Sequence, residues 1–310
     1  MKLSLFDLHC DTPLELYLQK KQLSDNDLAV SLAKAGVFDR YVQVMAFWNT
    51  ARLSEDEGWE ELCHAYRAFL ADAAFAEGKI KLVTAYRSDD RAKTRCLLSV
   101  EDARVLGGRL ERVDALFEMG FRLLTPLWGG VSCIGGAHNT DEGLSPFGKA
   151  ALKRALSLGM LLDVSHASQR STDEILELSR AAKRPVLATH SNAHKVCPVS
   201  RNLRDTQIRE LIACDGLIGL NLYQSFLKSG KAVSVSALLP HIEHFLALGA
   251  EDHLALGGDM DGCLLPVDLR DLSELPHLAE LMLQANYPER LIRKLFFENA
   301  DRFAARYLLY

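Results

Sequence analysis

His9-Cys10-Asp11 sets an imidazole and a carboxylate two residues apart, at the end of the apolar run Leu3, Leu5, Phe6 and Leu8. The run reads as a short buried strand. On a strand, period-2 spacing puts His9 and Asp11 on one face and turns Cys10 away from them. Neutral imidazole and carboxylate side by side suit a first-row divalent metal. Four later apolar runs also end in metal-competent residues: Glu101, His166, His190 and Asp259. Three His, two Asp and one Glu are enough for two metals sharing a carboxylate. A pair held ~3.5–4 Å apart can polarise a carbonyl and hold a nucleophilic hydroxide. Taken singly, a strand-end His is ordinary and a strand-end Asp is often a helix cap. Six such residues ending five runs are hard to explain as independent accidents.

These residues need a scaffold that brings strand ends together. Short apolar runs alternate with amphipathic stretches along the chain. Strands are predicted near Leu3–Leu8, Tyr41–Phe47, Cys96–Val100, Phe121–Thr125, Met160–Val164, Pro185–Thr189, Gly216–Asn221 and His253–Gly257. Helical patterns lie between them, as in Asp56–Phe75, Pro146–Leu158 and Ser171–Ala182. Ser54, Ser171 and Asp205 are predicted helix caps. Strand–helix alternation predicts a parallel sheet, and eight repeats predict closure into an α/β fold, a (β/α)8 TIM barrel. An open doubly wound sheet is the alternative, but no GxGxxG follows the first strand. In a barrel, catalysis sits at the carboxyl ends of the strands, where all six residues fall. The whole chain, 1–310, reads as a single domain. It carries an extended crossover near 51–95, with an extra turn or strand around Ile80–Thr84, and a C-terminal covering helix near 288–310.

Composition narrows the function. Net charge is −5, which gives no electrostatic support to nucleic-acid or anionic-membrane binding. No run approaches the ~20 apolar residues of a membrane span. A cleaved leader would remove His9, so the sequence predicts no secretion. The seven cysteines are scattered with no CxxC pair, which predicts reduced thiols and a cytoplasmic protein.

The segments around these residues resemble the membrane (renal) dipeptidase family of the amidohydrolase superfamily. The likeness is carried by Phe6-Asp7-Leu8-His9-Cys10-Asp11-Thr12, Ser99-Val100-Glu101, Gly143-Leu144-Ser145-Pro146-Phe147-Gly148, Leu162-Asp163-Val164-Ser165-His166, Thr189-His190-Ser191-Asn192-Ala193, Ser200-Arg201-Asn202 and Gly257-Gly258-Asp259-Met260-Asp261-Gly262. The resemblance implies a TIM-barrel metallohydrolase with two zinc ions, other divalent metals being acceptable to such ligands. By position, His9 and Asp11 match ligands of the first metal. Glu101 matches the bridging carboxylate, and His166 and His190 match ligands of the second metal. Asp259 matches the aspartate that contacts the metals and shuttles the proton from water to the leaving amine. Arg201 matches the arginine that grips the substrate's terminal carboxylate, a task suited to a guanidinium fork.

The chain departs from the family at two places. Trp128 stands where dipeptidases carry an oxyanion-stabilising histidine, and indole offers one neutral donor. His138, on the same loop, is a candidate replacement. Asp102-Ala103 follows Glu101 where many members have glycines, which narrows the pocket. Tyr223 is a further candidate for the substrate wall, and His194 reads as a loop residue. The resemblance implies hydrolysis of small dipeptides, including those with a D-residue at the C-terminal side, and a homodimer as the oligomer it allows. A metal-dependent hydrolase of a lactone, β-lactam or other small amide is the alternative. A non-catalytic metal-binding barrel is the third reading.

Overall fold

The computed structural model describes residues 2–49 and 53–309. Nine strands form one sheet: β1 (Leu5–Cys10), β2 (Tyr41–Trp48), β3 (Lys81–Leu82), β4 (Thr94–Glu101), β5 (Phe121–Thr125), β6 (Leu161–Asp163), β7 (Val186–Ala188), β8 (Leu217–Leu220) and β9 (Leu254–Leu256). Every pairing is parallel, and β2 pairs with both β1 and β4 while β9 pairs with both β8 and β1. Eight strands therefore close into a (β/α)8 TIM barrel. The ninth, β3, adds to the first half of β4 through Lys81↔Arg95 and Leu82↔Cys96, outside the ring. It lies in the long crossover with the helix Glu55–Leu70; Ala51 and Arg52, where the predicted crossover begins, lie outside the described residues. Among the described residues no helix is long and apolar enough to cross a membrane.

The strands are apolar because both faces are covered. Phe6, Leu8, Val44, Leu97, Leu123, Leu161, Leu187 and Leu217 fill the amino end of the barrel interior. A C-terminal helical run seals that end: Glu289–Arg293, a π-turn at Lys294–Glu298, then Asn299–Tyr307. Phe297, Ala300, Phe303 and Ala304 press onto the interior residues. Tyr310, at the end of the predicted covering helix, lies outside the described residues. With one end plugged by apolar side chains, polar chemistry is confined to the other.

Two of the predicted caps are displaced. Ser54 does form a reciprocal capping box with Glu57. The helix Gln169–Ala181, however, is capped by Ser168, whose hydroxyl accepts from Ser171 N at 2.9 Å. Tertiary contacts claim both halves of the local Ser171–Glu174 pattern. Ser171 donates to Gly136 O, and Glu174 accepts from Leu144 N and Lys149 Nζ. Asp205 is the first residue of its helix rather than the cap, and the Gln207 side chain accepts from Arg204 N.

The barrel is tight beneath β7. Cβ atoms built on Gly219 and Gly257 would stand 1.9 and 1.7 Å from the Thr189 carbonyl oxygen. Only a bare Cα lets β7, β8 and β9 approach so closely. Gly257→Ala is expected to lose at least the ~1–3 kcal/mol typical of overpacking. A lower urea midpoint reports it, and an unchanged midpoint contradicts this packing.

Candidate active site

A bulge in β1 aims the first histidine. Asp7 pairs with Gln43 and Cys10 with Met45, so β1 holds one more residue than β2 over this stretch. The extra residue breaks strand alternation. Leu8 packs in the interior cluster, Cys10 bonds outward to Met45 Sδ at 3.5 Å, and His9 turns in beside His190, ring centroids 3.8 Å apart. Asp7 holds the bulge by accepting from His9 N, Gln43 Nε2 and Gly258 N, at 2.9, 3.0 and 3.0 Å. His166 and Asp259 take φ of 68° and 56°. The left-handed backbone is costly for residues with a Cβ, and here it turns each side chain over the barrel mouth.

Glu101, the last residue of β4, is the centre of the group. Its Oε2 lies 3.3 Å from His9 Nε2. Its Oε1 lies 2.9 Å from His166 Nε2 and 3.5 Å from His190 Nε2. Asp11 Oδ1 and Asp259 Oδ1 stand 3.6 and 3.9 Å from His9 Nε2. The carboxylate thus turns Oε2 toward His9 and Oε1 toward His166 and His190, and the groups His9–Glu101–His190 and His9–Asp11–Asp259 each bring their ligand atoms close enough together to hold a metal ion.

The protons on the imidazoles are fixed from behind. His166 Nδ1 faces the Trp128 carbonyl at 3.1 Å, which can only accept. His190 Nδ1 faces Thr189 Oγ1 at 2.8 Å, whose own hydrogen goes to Asp163. Both rings therefore carry hydrogen on Nδ1 and a lone pair on Nε2. Those two lone pairs face each other at 2.9 Å, with a carboxylate oxygen beside them. Both ring nitrogens of His9 and Oδ1 of Asp11 are buried without a hydrogen-bond partner. Converging bases with no hydrogen between them are costly to bury unless a cation joins them. The residues fit a divalent metal centre.

Electrostatics agree. Burial, then Arg201, pushes His166 down to about 3. Burial and the facing His9 hold His190 well below the usual histidine range. Burial also disfavours charge on Glu101, yet His9 first, then the neighbouring His166 and His190, hold it well below the usual carboxylate range. Burial opposes a proton on His9, but Glu101 and Asp11 overcome it and raise its pKa. Burial pushes Asp259 up to about 6. The cluster draws positive charge to one point.

A cavity of about 490 Å³ opens over the cluster. Trp128, His138, Arg201 and Tyr223 all lie in its wall, with Asp11, Glu101, His166 and Asp259 at its floor. The Trp128 ring leans on Trp48, centroids 5.2 Å apart. His138 bonds through Nδ1 to Ser200 Oγ at 2.8 Å, and burial followed by Arg201 pushes it down to about 4, so it is a neutral ring. Arg201 is buried; Nη2 donates to His190 O at 3.2 Å and Nε has no partner. Tyr223 packs edge-on against Phe226. His194 lines an adjoining polar cavity of about 120 Å³, which shares His138, His166 and Arg201 with the first.

Sequence reasoning passed over Asn221, which donates to Asp259 Oδ2 at 3.0 Å and to His190 O at 3.2 Å. It ends the apolar run Leu217-Ile218-Gly219-Leu220, the same signal that marked the other six. It also passed over Trp48 as a cavity residue, and over the roles of Asp7 and Asp163 beneath the histidines.

The family model described as membrane dipeptidase (peptidase family M19) matches residues 1–306. A curated protein of Klebsiella pneumoniae, described as an uncharacterized protein in the pqqA 5' region, is 30% identical over 242 residues, 73% of this chain and 88% of that one. Among solved structures, the dipeptidase AC, a metallo peptidase of family M19, superposes with a TM-score of 0.91 at 25% identity, covering all of both chains. A metallo peptidase from Rhodobacter sphaeroides, liganded with a phosphinate mimic of the dipeptide L-Ala-D-Ala, gives 0.89 at 24% identity over 99% of this chain and 100% of that one, a likeness of fold.

Converging bases predict that a cation stabilises the fold. Zn2+ at one hundred times its Kd is expected to add about 2.7 kcal/mol. The check is the melting temperature of chelator-stripped protein with and without Zn2+. An unchanged melting temperature contradicts the metal centre.

Proposed function

Because this chain belongs to the membrane dipeptidase family, we propose that it hydrolyses small dipeptides with two zinc ions held at the barrel mouth. The observation that carries the reading is Glu101, with one oxygen toward His9 and the other toward His166 and His190. His9, Asp11 and Asp259 would hold one ion, His166 and His190 the other, and Glu101 would join them. Imidazole nitrogen and carboxylate oxygen suit zinc. When bound, the ions supply an activated water and polarise the scissile carbonyl.

The chain's own residues do the rest. Arg201 is the one Lys or Arg among the described residues lining the cavity. Burial weakens its hold on its proton while Asp259, Glu101 and Asp163 support its charge, and its Nε still lacks an acceptor such as an anion. The terminal carboxylate of a dipeptide provides one. Asn221 donates to Oδ2 of Asp259 and so orients the carboxylate, which would take a proton from water and deliver it to the leaving amine. A carboxyl near 6 is well matched to both halves of that transfer at neutral pH. Trp48, Trp128, Tyr223 and Phe226 give the cavity aromatic walls that exclude water and favour an apolar side chain. Seven free cysteines fit a reducing compartment, the cytoplasm.

Trp128 and the neutral His138 also suit a flat, uncharged amide such as a lactam. The test covers both substrates: purified, zinc-loaded protein is assayed with L-Xaa-D-Xaa and L-Xaa-L-Xaa dipeptides and with cyclic amides. Dipeptide turnover is expected. Asp259→Asn is expected to lower kcat by ~10²–10⁴, the range for a general acid–base group. Arg201→Met is expected to raise KM at least tenfold for dipeptides with a free carboxylate. Turnover of cyclic amides alone contradicts the dipeptidase reading, and turnover of neither contradicts both.

A further inference from the structure

Beneath His190 lies a buried chain that no part of the proposed reaction uses. Asp163, the last residue of β6, is fully buried and accepts four hydrogen bonds. Oδ1 takes Ser165 N and Thr189 N, each at 2.9 Å. Oδ2 takes the hydroxyls of Thr125 and Thr189, at 2.7 and 2.5 Å. A carboxylate with four donors has no hydrogen of its own to give. The single hydrogen on Thr189 Oγ1 therefore points to Asp163. The oxygen then meets His190 Nδ1, 2.8 Å away, as an acceptor.

We propose that Asp163 and Thr189 are positioning residues that lock His190 in its Nδ1–H form, and so keep the Nε2 lone pair free for metal. The proposal rests on the reading of His190 as a metal ligand. The device places a carboxylate one hydroxyl away from the imidazole instead of in contact with it. A carboxylate in contact would add a full negative charge to a cluster that already holds Glu101, Asp11 and Asp259. The hydroxyl passes on the direction of the hydrogen bond while keeping that charge further away. His166 has a simpler lock, the Trp128 carbonyl. Only the His190 lock can be reversed by exchanging one side chain for its isostere.

That exchange is Asp163→Asn. The amide oxygen keeps the two backbone donors, and the NH2 group replaces Oδ2. It then donates to both threonine hydroxyls. Thr189 then turns its hydrogen to His190 Nδ1, 2.8 Å away against 3.5 Å to Ser165 Oγ, which drives the ring's hydrogen onto Nε2. The lone pair needed for metal is lost. Thr189→Val in that background removes the hydroxyl that enforces the wrong form.

The test is Zn2+ affinity, read by competition with a chromophoric chelator, for wild type and four variants. Circular dichroism and melting curves check that each variant folds. Asp163→Asn is expected to weaken one of the two sites by ~10–100-fold, the usual effect of losing a partner behind a ligand. Asp163→Asn/Thr189→Val is expected to bind more tightly than Asp163→Asn alone. A purely structural role for Asp163 predicts the opposite order. Should Asp163→Asn fail to fold, Thr189→Val alone is expected to weaken one site about tenfold, with Thr189→Ser at wild-type affinity. Wild-type affinity in Asp163→Asn, or a double variant weaker than the single, overturns the proposal. Normal metal affinities with no dipeptide turnover would overturn the function above and leave this lock standing.

Discussion

Two imidazole nitrogens 2.9 Å apart, both without hydrogen, face one carboxylate oxygen in a buried pocket. This arrangement is unfavourable on its own, because each lone pair has lost its water and met another lone pair. The rest of the structure is built to impose it and to let a cation relieve it. The Trp128 carbonyl and the Thr189 hydroxyl fix the hydrogens on the far sides of the rings. Left-handed backbone at His166 and Asp259 swings those side chains over the mouth. A bulge in β1 turns His9 inward where plain alternation would separate it from the interior leucine beside it. Each device costs a little stability, and each is affordable only on a rigid frame.

The frame supplies that rigidity by asymmetry. The amino end of the barrel is filled with apolar side chains and closed by the C-terminal helical run. Glycines at 219 and 257 let three strands crowd onto the Thr189 carbonyl. Directly above, Asp163 and Asp7 tie strand ends together through hydrogen bonds to backbone and side chain. Polarity thus rises in layers from the sealed end to the open one, and the clustered His, Asp and Glu side chains sit where apolar packing gives way to the cavity.

Much of this was legible in the sequence. The eight barrel strands and their order follow from the alternation of short apolar runs with amphipathic stretches. The six clustered residues follow from one rule, a metal-competent side chain ending an apolar run, because barrel topology brings all such ends together. Asn221 also ends an apolar run, but asparagine is a poor metal ligand, so the rule does not select it. What the sequence hid were features set by tertiary contact. The bulge at His9 needs the register of β2. Ser171 and Glu174 look like a local capping box, but the loop after β5 and Lys149 compete for them. The hydrogen placement on His190 depends on Asp163, 27 positions earlier in the chain and on a neighbouring strand.

On the proposed reading these side chains hold two metal ions. Elemental analysis of the purified, metal-reconstituted protein tests it most directly, with His166→Ala measured beside it. Close to two zinc per chain are expected, falling toward one in the variant. A protein that holds no metal after reconstitution would contradict the reading of the site from Glu101 outward.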